Sequence, residues 1–562
     1  MAGPDDQMAK TAHVNMMTDT IINNMSPDGL RIVMRSLLAS HPEITGTFET
    51  ETRNYIRQTV LPNRENQSPR PYLAKLRTEQ QTLRCMLGCG LCYSALPLAA
   101  DLATQTFQLG RKSIGLNEAD ICSLLASIDG DIVQAITAVQ KTLSVSTGAR
   151  QLRNEETIPL RMLYDSLESC HNSARKSVVE FPYSRALSAT ANLLGLPPLD
   201  DTDFYPKLND IDAPVGISET FELKGRTLPR LFSGLWQLSS PAWGSASTSK
   251  IFTQFVKYVN RGYTSFDMAD HYGDAEIIFV SLSRQSVEAA YLPQVKGQFL
   301  SRYPYKDSTF TATKYCVFHP MTVTREAIKE NISERCQRLG SKKVDLLQFH
   351  WQFYDDRQYL DALRFLAEDE RIFALGLCNF DTEHLEAVID SGVPVHTNQI
   401  QFSLIDSRPT VRMGEVCKEH NIKLLTYGTL CGGFLAIKWL GKPEPDLYDE
   451  SITPSQRKYH GVIRSWGDWA LFQELLETLK LIGDKYSVSV SNVAMRWVLD
   501  YPYVGAVIVG ARMGISEHTD ENLVSLGWSL DREDQQSIDV VLNKSRRLEM
   551  FATMGDCGGE YR

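Results

Sequence analysis

This sequence of 562 residues lacks long apolar runs and an excess of basic residues. Apolar runs are short: the longest, residues 85–100, is interrupted by Ser94 and Pro97 and falls below the ~20 residues that a membrane-spanning helix needs. Basic residues are also fewer than acidic ones, 58 against 68, so the chain lacks a broad positive field. The composition therefore predicts a protein that binds neither a membrane nor nucleic acid.

Cysteine shows no pattern typical of a disulfide framework. The eleven cysteines are odd in number and scattered, which predicts free thiols in a reducing compartment. Cys85, Cys89 and Cys92 have the spacing of ligands to an iron–sulfur cluster, but their apolar context favours cysteines buried in a helix, and we predict no metal site. The first seven residues are polar and acidic, unlike a secretory signal, so we expect a cytoplasmic protein.

The amino-terminal part contains helical patterns and no long alternating strand. A helix start at Ser26 and Pro27 is followed by apolar residues at helical spacing. Further helices are predicted over residues 73–107, 117–126, 130–142 and 157–176. Prolines and acidic residues after Leu196 indicate a linker. We predict an all-α domain over 1–195, a linker over 196–227 and a second domain over 228–562.

Strand and helix patterns alternate in the second domain. The predicted strands end near Leu235, Asp267, Lys314, His350, Cys378, Gln399, Tyr427 and Gly510. Eight such units predict an α/β fold, a closed parallel (β/α)8 TIM barrel. A doubly wound sheet is the alternative, but the Gly-rich phosphate loop typical of it is missing after the first strand.

Four polar residues lie at or just after these strand ends: Asp267, Tyr272, Lys314 and His350. The carboxyl ends of barrel strands meet at one mouth, so these side chains are expected to share a site. A phenol, with a pKa of about 10, is a poor acid at neutral pH. A nearby ammonium favours the phenolate and makes the phenol a better proton donor. We therefore expect Tyr272 to donate a proton, Lys314 and Asp267 to support it, and His350 to orient a carbonyl.

In this order the four residues resemble the catalytic tetrad of the aldo-keto reductases. The resemblance extends from about Leu228 to the end of the sequence. It implies that the barrel reduces an aldehyde or ketone to an alcohol, with hydride supplied by NADPH and a small-molecule carbonyl compound as the substrate.

The same resemblance implies a set of cofactor contacts in the second half of the barrel. Asn379 and Gln399 would hydrogen-bond the nicotinamide carboxamide, and Tyr427 would stack on the nicotinamide ring. Cys378 departs from the family pattern, because a hydroxyl residue is usual before the Asn.

A further segment near the end of the chain resembles the one that holds the adenosine phosphate in this family. Arg512 would pair with the 2'-phosphate, which favours NADPH over NADH. Glu521 and Asn522 would contact the adenine amine.

The substrate and any protein partner are less constrained by the sequence. Trp236 and Trp351 are expected to line an apolar mouth that suits an aromatic or aliphatic carbonyl compound. The alternative function is a nucleotide-binding regulatory or scaffolding subunit that acts through its helical domain, by binding a partner or by self-association. The complete set of four catalytic residue types favours the enzyme.

Overall fold

The structure, a computed structural model, describes residues 27–61, 72–111, 118–145, 148–177, 179–196, 214–239, 243–273, 275–276, 308–446 and 452–561. The chain forms two compact units, Met1–Arg70 and Pro71–Arg562. This division differs from the predicted one, because the helices after residue 71 lie in the same unit as the second half of the chain. Most of the predicted linker, residues 197–213, lies outside the described residues.

The first unit is helical where it is described. Helix α1 (Pro27–Ser40) begins at the predicted proline, and α2 (Thr45–Tyr55) follows it. Val33, Met34 and Leu37 of α1 are exposed, so the apolar face that the sequence predicts is not buried within this unit.

The second unit begins with five helices and a short hairpin of Ser144–Val145 and Gly148–Ala149. The helices are α3 (Tyr72–Gly88), α4 (Cys92–Arg111), α5 (Glu118–Leu143), α6 (Asn154–Ser177) and α7 (Ser184–Leu193). The predicted helix over 73–107 is in fact two helices, because the chain turns at Gly90, whose φ is +78°. The three cysteines predicted to be buried in one helix are placed differently: Cys85 is exposed on α3, Cys89 is buried in the turn after it, and Cys92 is buried at the start of α4.

The two helices predicted over 117–126 and 130–142 are one helix, α5. The Asp-Gly-Asp sequence at residues 129–131 favours a turn by local propensity, but both carboxylates have hydrogen-bond partners on neighbouring helices. Asp131 accepts hydrogen bonds from Arg84 and Gln80, and Asp129 accepts one from the backbone N–H of Ala186. These hydrogen bonds to buried carboxylates keep the stretch helical, although its sequence locally favours a turn.

Residues 120–143 of α5 are also long and apolar enough to cross a membrane by length and composition alone. Of the 18-residue apolar window within this helix, 56% is buried inside the protein, as in the core helix of a globular fold.

Eight parallel strands form a closed barrel, which confirms the predicted fold. They are β1 (Leu231–Gly234), β2 (Ser265–Asp267), β3 (Phe310–Val317), β4 (Val344–Trp351), β5 (Ile372–Cys378), β6 (Thr397–Gln401), β7 (Lys423–Tyr427) and β8 (Val504–Gly510). Strand β8 pairs with β1 and closes the ring. In the register of β3 with β4, Lys314 lies opposite Gln348.

Helices surround the barrel and return the chain from one strand to the next. They are α8 (Thr248–Asn260), α9 (Arg325–Arg338), α10 (Gln358–Ala367), α11 (Thr382–Asp390), α12 (Met413–Glu419), α13 (Pro454–Trp466), α14 (Trp469–Tyr486), α15 (Val490–Leu499), α16 (Thr519–Leu523), α17 (Arg532–Leu542) and α18 (Arg547–Met554). Side-chain caps start several of them, as Ser247 does for α8 and Asp381 for α11.

A hairpin of Thr220–Leu223 and Arg226–Pro229 closes the amino-terminal end of the barrel. Its Phe221, Leu223 and Leu228 pack into the barrel interior beside Phe232 and Leu425. This corrects the predicted linker over 196–227, whose last residues belong to the barrel core. Because the hairpin fills one end of the barrel, the carboxyl ends of the strands form the other, open end.

Candidate active site

A buried lysine–aspartate pair joins the last residue of β2 to the middle of β3, because the strand predicted to end near Lys314 continues to Val317. Lys314 Nζ donates a hydrogen bond of 2.7 Å to Asp267 Oδ2 and one of 2.9 Å to the carbonyl of Met268. Both side chains are almost fully buried. Burial lowers the pKa of Lys314, but the carboxylate of Asp267 outweighs it, and the net pKa lies above its ordinary value. The ammonium is therefore charged at neutral pH.

Tyr272 lies over this ammonium, five residues after Asp267. Lys314 Nζ is 4.8 Å from the centroid of the phenol ring. Burial raises the pKa of Tyr272, whereas the ammonium of Lys314 lowers it, in the direction expected from the sequence. Burial has the larger effect, so the net pKa lies above its ordinary value and the phenol keeps its proton at neutral pH.

The second oxygen of Asp267 is held by two buried amides. Gln348 Nε2 donates to Asp267 Oδ1 at 2.9 Å, and Gln399 Nε2 donates to the same oxygen at 2.7 Å. Gln399 also donates to Gln348 Oε1 at 2.9 Å. Asp267 is thus bonded through both oxygens, which orients the one facing Lys314.

Gln348 was missed in the sequence, although a signal for it was present. It precedes His350 by two residues on β4, and the period of two in a strand puts both side chains on the barrel interior. A buried amide needs hydrogen-bond partners, so the position of Gln348 two residues before His350 indicates a polar network around the predicted catalytic residues.

His350 lies at the end of β4, where the prediction put it, and is nearly buried. Its ring packs against two aromatic rings, Phe318 with centroids 5.9 Å apart and Tyr561 at 5.6 Å. The contact with Tyr561 is edge-to-face. Because His350 lies near the carboxyl end of β4, its imidazole is at the same open end of the barrel as Lys314.

The loop that carries Tyr272 is fixed by two buried ion pairs. Arg335 of α9 donates to Asp270 at 2.8 Å, and the backbone N–H of Cys316 donates to the same carboxylate. Burial raises the pKa of Asp270, but Arg335 and His271 lower it by more, so the carboxylate stays ionised. Further along, Arg338 pairs with Glu276 and donates to the carbonyl of Gly273 at 2.9 Å.

Asp270, His271 and Cys316 also form a group of three potential metal ligands within 4.8 Å of one another. Arg335 and a backbone N–H already occupy one oxygen of Asp270. Burial raises the pKa of the Cys316 thiol well above its usual value, whereas a metal needs the thiolate. These contacts fit a structural role for the group.

Two of the residues predicted to bind the nicotinamide lie together. Asn379 follows β5 in a left-handed conformation, with φ of +58°. Its Oδ1 accepts a hydrogen bond of 2.9 Å from the hydroxyl of Tyr427 at the end of β7. Gln399 lies deeper, with its Nε2 committed to Asp267 and Gln348, so its role towards a carboxamide stays a prediction.

The predicted phosphate-binding segment follows β8. Arg512 is half-buried, and its Nε donates to the carbonyl of Trp243 at 2.9 Å. Glu521 and Asn522 lie in α16, where Glu521 is exposed and Asn522 is buried. The roles of these three residues stay predictions.

Of the two tryptophans predicted to line the mouth, only one is exposed. Trp236 is 41% exposed, and its ring centroid lies 4.6 Å from that of Trp243. Trp351 is fully buried, and its indole N–H donates to the carbonyl of Phe353 at 2.8 Å. Trp351 therefore does not offer a surface to a substrate in this structure, because its side chain is part of the packed core.

Residues 555–561 cross the open end of the barrel, which the sequence did not suggest. The hydroxyl of Tyr561 is 3.1 Å from that of Tyr427 and 3.3 Å from Lys458 Nζ. Nothing in the composition of this segment marks it as part of a site, because its place depends on the closed barrel.

Residues 230–543 match the aldo/keto reductase family. The chain belongs to the aldo-keto reductase family. The match covers the eight strands and helices α8 to α17, whereas the helices before residue 214, α18 and residues 555–561 lie outside it. The resemblance drawn from four residues is therefore confirmed for the barrel as a whole.

Several known proteins are similar to this chain. Aldo-keto reductase YhdN of Bacillus subtilis is 25% identical over 332 residues, which cover 56% of this chain and 90% of that protein. Flagellar radial spoke protein 5 of Chlamydomonas reinhardtii is 32% identical over 138 residues, about a quarter of each chain. Among solved structures, the glycerol dehydrogenase of Gluconobacter oxydans is 24% identical with a TM-score of 0.45, covering 58% of this chain and 96% of that one.

Proposed function

We propose that the barrel reduces an aldehyde or ketone to an alcohol with NADPH, and that Tyr272 supplies the proton. The observation that carries this proposal is the phenol of Tyr272 over a buried ammonium that is itself paired with Asp267. Such an arrangement keeps the phenol protonated before the reaction and stabilises the phenolate that forms when the proton leaves.

The residues present fit a nicotinamide cofactor. An aromatic ring at Tyr427 suits a planar pyridine ring, the amide of Asn379 suits a carboxamide, and the guanidinium of Arg512 suits a phosphate. NADPH would supply a hydride to the carbonyl carbon.

The remaining steps belong to this chain's own side chains. His350 would hydrogen-bond the carbonyl oxygen, and Tyr272 would transfer its proton to that oxygen as negative charge develops there. Lys314, held by Asp267, would stabilise the resulting phenolate until solvent returns a proton. Names of relatives such as the glyoxal reductase of Bacillus subtilis are consistent with a small carbonyl substrate.

The direct test is the oxidation of NADPH, followed at 340 nm, with a panel of aliphatic and aromatic aldehydes and ketones. Turnover that depends on the carbonyl compound supports the proposal. Binding of NADPH without turnover of any compound would instead support the alternative, a nucleotide-binding scaffold.

Two observations favour that second candidate. The helices before the barrel expose apolar side chains, with Ile158 of α6 66% and Met162 48% exposed. Part of the chain is also similar to a radial spoke protein, which is named as a component of an assembly. We propose that the helical part binds a protein partner or a second copy of the chain, in the cytoplasm, where free cysteines are expected.

Replacing Gln348 by Leu should lower kcat by about 10-fold, because Asp267 loses one donor and holds Lys314 less firmly. A matched control is Asn398→Leu, which removes another fully buried amide whose Nδ2 donates to the carbonyl of Phe380 instead. Both kcat and the pH profile would be measured for the two variants. Equal losses in both would show that Gln348 contributes only to folding.

Replacing Arg512 by Ala should weaken NADPH binding by about 10-fold and leave NADH binding nearly unchanged, because only NADPH carries the 2'-phosphate. Arg412→Ala is the control, since that guanidinium is exposed and paired with Glu386 on α11. Fluorescence titration with each cofactor measures the effect. Equal losses for both cofactors would mean that Arg512 supports the loop through its bond to Trp243.

A further inference from the structure

The 555–561 segment is fixed to the barrel rim at several points. The carboxylate of Asp556 accepts a hydrogen bond of 2.7 Å from the backbone N–H of Thr382 in the first turn of α11. Arg408, itself buried and paired with Asp406, donates to the carbonyl of Asp556 at 2.9 Å and pairs with Glu560 at the same distance. The segment is thus a defined part of the folded barrel.

The path of the segment runs directly over a predicted cofactor residue. Gly558, with φ of +76°, passes so close to Asn379 that a side chain at this position would overlap the Asn379 backbone. A glycine is required both by this approach and by the positive φ. At this point the chain runs from the carboxyl end of β5 towards the carboxyl end of β7.

Tyr561 then lies between the two groups that the reaction needs. Its hydroxyl is 3.1 Å from that of Tyr427, the predicted stacking partner of the nicotinamide. Its ring centroid is 5.6 Å from that of His350, the predicted partner of the carbonyl oxygen. Lys458 of α13 is near both phenols, with Nζ 5.9 Å from the Tyr427 ring centroid and 5.5 Å from that of Tyr561.

Hydride transfer requires the nicotinamide and the carbonyl to meet between these same two groups. We propose that Tyr561 occupies the place of the nicotinamide ring and acts as a gate, so that NADPH binds only when the end of the segment moves away. The inference rests on the proposed function, since it takes Tyr427 and Asn379 as cofactor residues.

The contacts divide into those that hold the segment and those that opening would break. Asp556 is bonded to α11 and to the buried Arg408, so this part stays attached. Beyond Gly558, the attachments include the pair of the partly exposed Glu560 with the buried Arg408. Tyr561 adds its hydroxyl contacts with Tyr427 and Lys458 and its ring contact with His350. Movement of residues 559–561 alone would therefore uncover Tyr427 and leave the rest of the rim in place.

The test is the affinity and association rate of NADPH for the full chain, without any carbonyl compound. A gate reduces the apparent affinity by the fraction of open molecules, so an open fraction of about one tenth makes the ungated protein bind about 10-fold tighter. Tyr561→Ala should show this gain, mainly as faster association in stopped-flow fluorescence. Glu560→Gln, which weakens the attachment to Arg408, should show a smaller gain of about 3-fold.

Leu548→Ala is the control, because this side chain is 73% exposed on α18, just before the segment. It should bind NADPH as the unmodified protein does. If Tyr561→Ala binds NADPH no more tightly than the unmodified protein does, the gate is overturned. Tyr561 then either lines the site or has no role in it. Failure of both the unmodified protein and Tyr561→Ala to bind NADPH overturns it too, since removing the ring has not opened the site.

The outcome is separable from that of the proposed function. Tighter NADPH binding by Tyr561→Ala with no turnover of any carbonyl compound supports the gate and contradicts the proposed reductase activity. Turnover with unchanged NADPH binding in Tyr561→Ala keeps the reductase and removes the gate.

Discussion

Replacing Tyr272 by Phe should lower the turnover of a carbonyl substrate by ~10² or more, the usual scale for the loss of a general acid. The variant keeps the aromatic ring that lies 4.8 Å from Lys314 Nζ, so the packing of the site is preserved. Only the hydroxyl is lost, and with it the proton that the carbonyl oxygen needs. NADPH binding should not change.

A control for this substitution lies next to Lys314 on the same strand. Tyr315 is a buried phenol whose hydroxyl donates to the sulfur of Met321 at 3.4 Å, away from Lys314. Tyr315→Phe should retain near-normal turnover. If Tyr272→Phe also retained it, with folding checked by circular dichroism, the assignment of Tyr272 as proton donor would be wrong.

The largest effect on stability is expected at Arg338. Its guanidinium pairs with Glu276, and both side chains are buried. Arg338→Leu leaves the Glu276 carboxylate buried without its cation, which costs about 3–5 kcal/mol of unfolding free energy. The bond from Arg338 to the Gly273 carbonyl is lost as well, so the loop that carries Tyr272 loses one of its supports.

Urea unfolding followed by tryptophan fluorescence measures this loss. Arg325→Leu is the control, since Arg325 of the same helix pairs with Glu368 on the surface, where such a pair contributes about 0–1 kcal/mol. A double variant, Arg338→Leu with Glu276→Leu, should recover much of the stability because no buried charge is left alone. Comparable small losses in Arg338→Leu and Arg325→Leu would contradict the argument.

The barrel was predictable because its signal is local and repeated. Most strands are short apolar runs, several of them carry a polar residue near the end, and helical patterns separate these runs. Asp267, Lys314 and His350 could be expected at one mouth from topology alone, since the carboxyl ends of all barrel strands share one face. The family match confirms the resemblance that was drawn from Asp267, Tyr272, Lys314 and His350.

The errors arose where long-range contacts override local patterns. The Asp-Gly-Asp sequence in α5 favours a turn by itself, and only the partners on α3 and α7 keep it helical. The predicted linker extends to residue 227, yet residues 220–227 belong to the hairpin that closes the barrel, because Phe221 and Leu223 are buried beneath it. Trp351 appeared to be a residue of the mouth, but its place on β4 buries it completely.

The fold, the family and the residue types of the candidate site could be inferred from the sequence alone, because periodicity and the residues near strand ends are local features. The way in which these residues are held depends on the tertiary structure. Gln348 and Gln399 meet Asp267 across strands, and Tyr561 reaches Tyr427 from 134 positions away in the chain. Contacts at such separations depend on which side chains the closed barrel brings together, and no local pattern encodes these pairs.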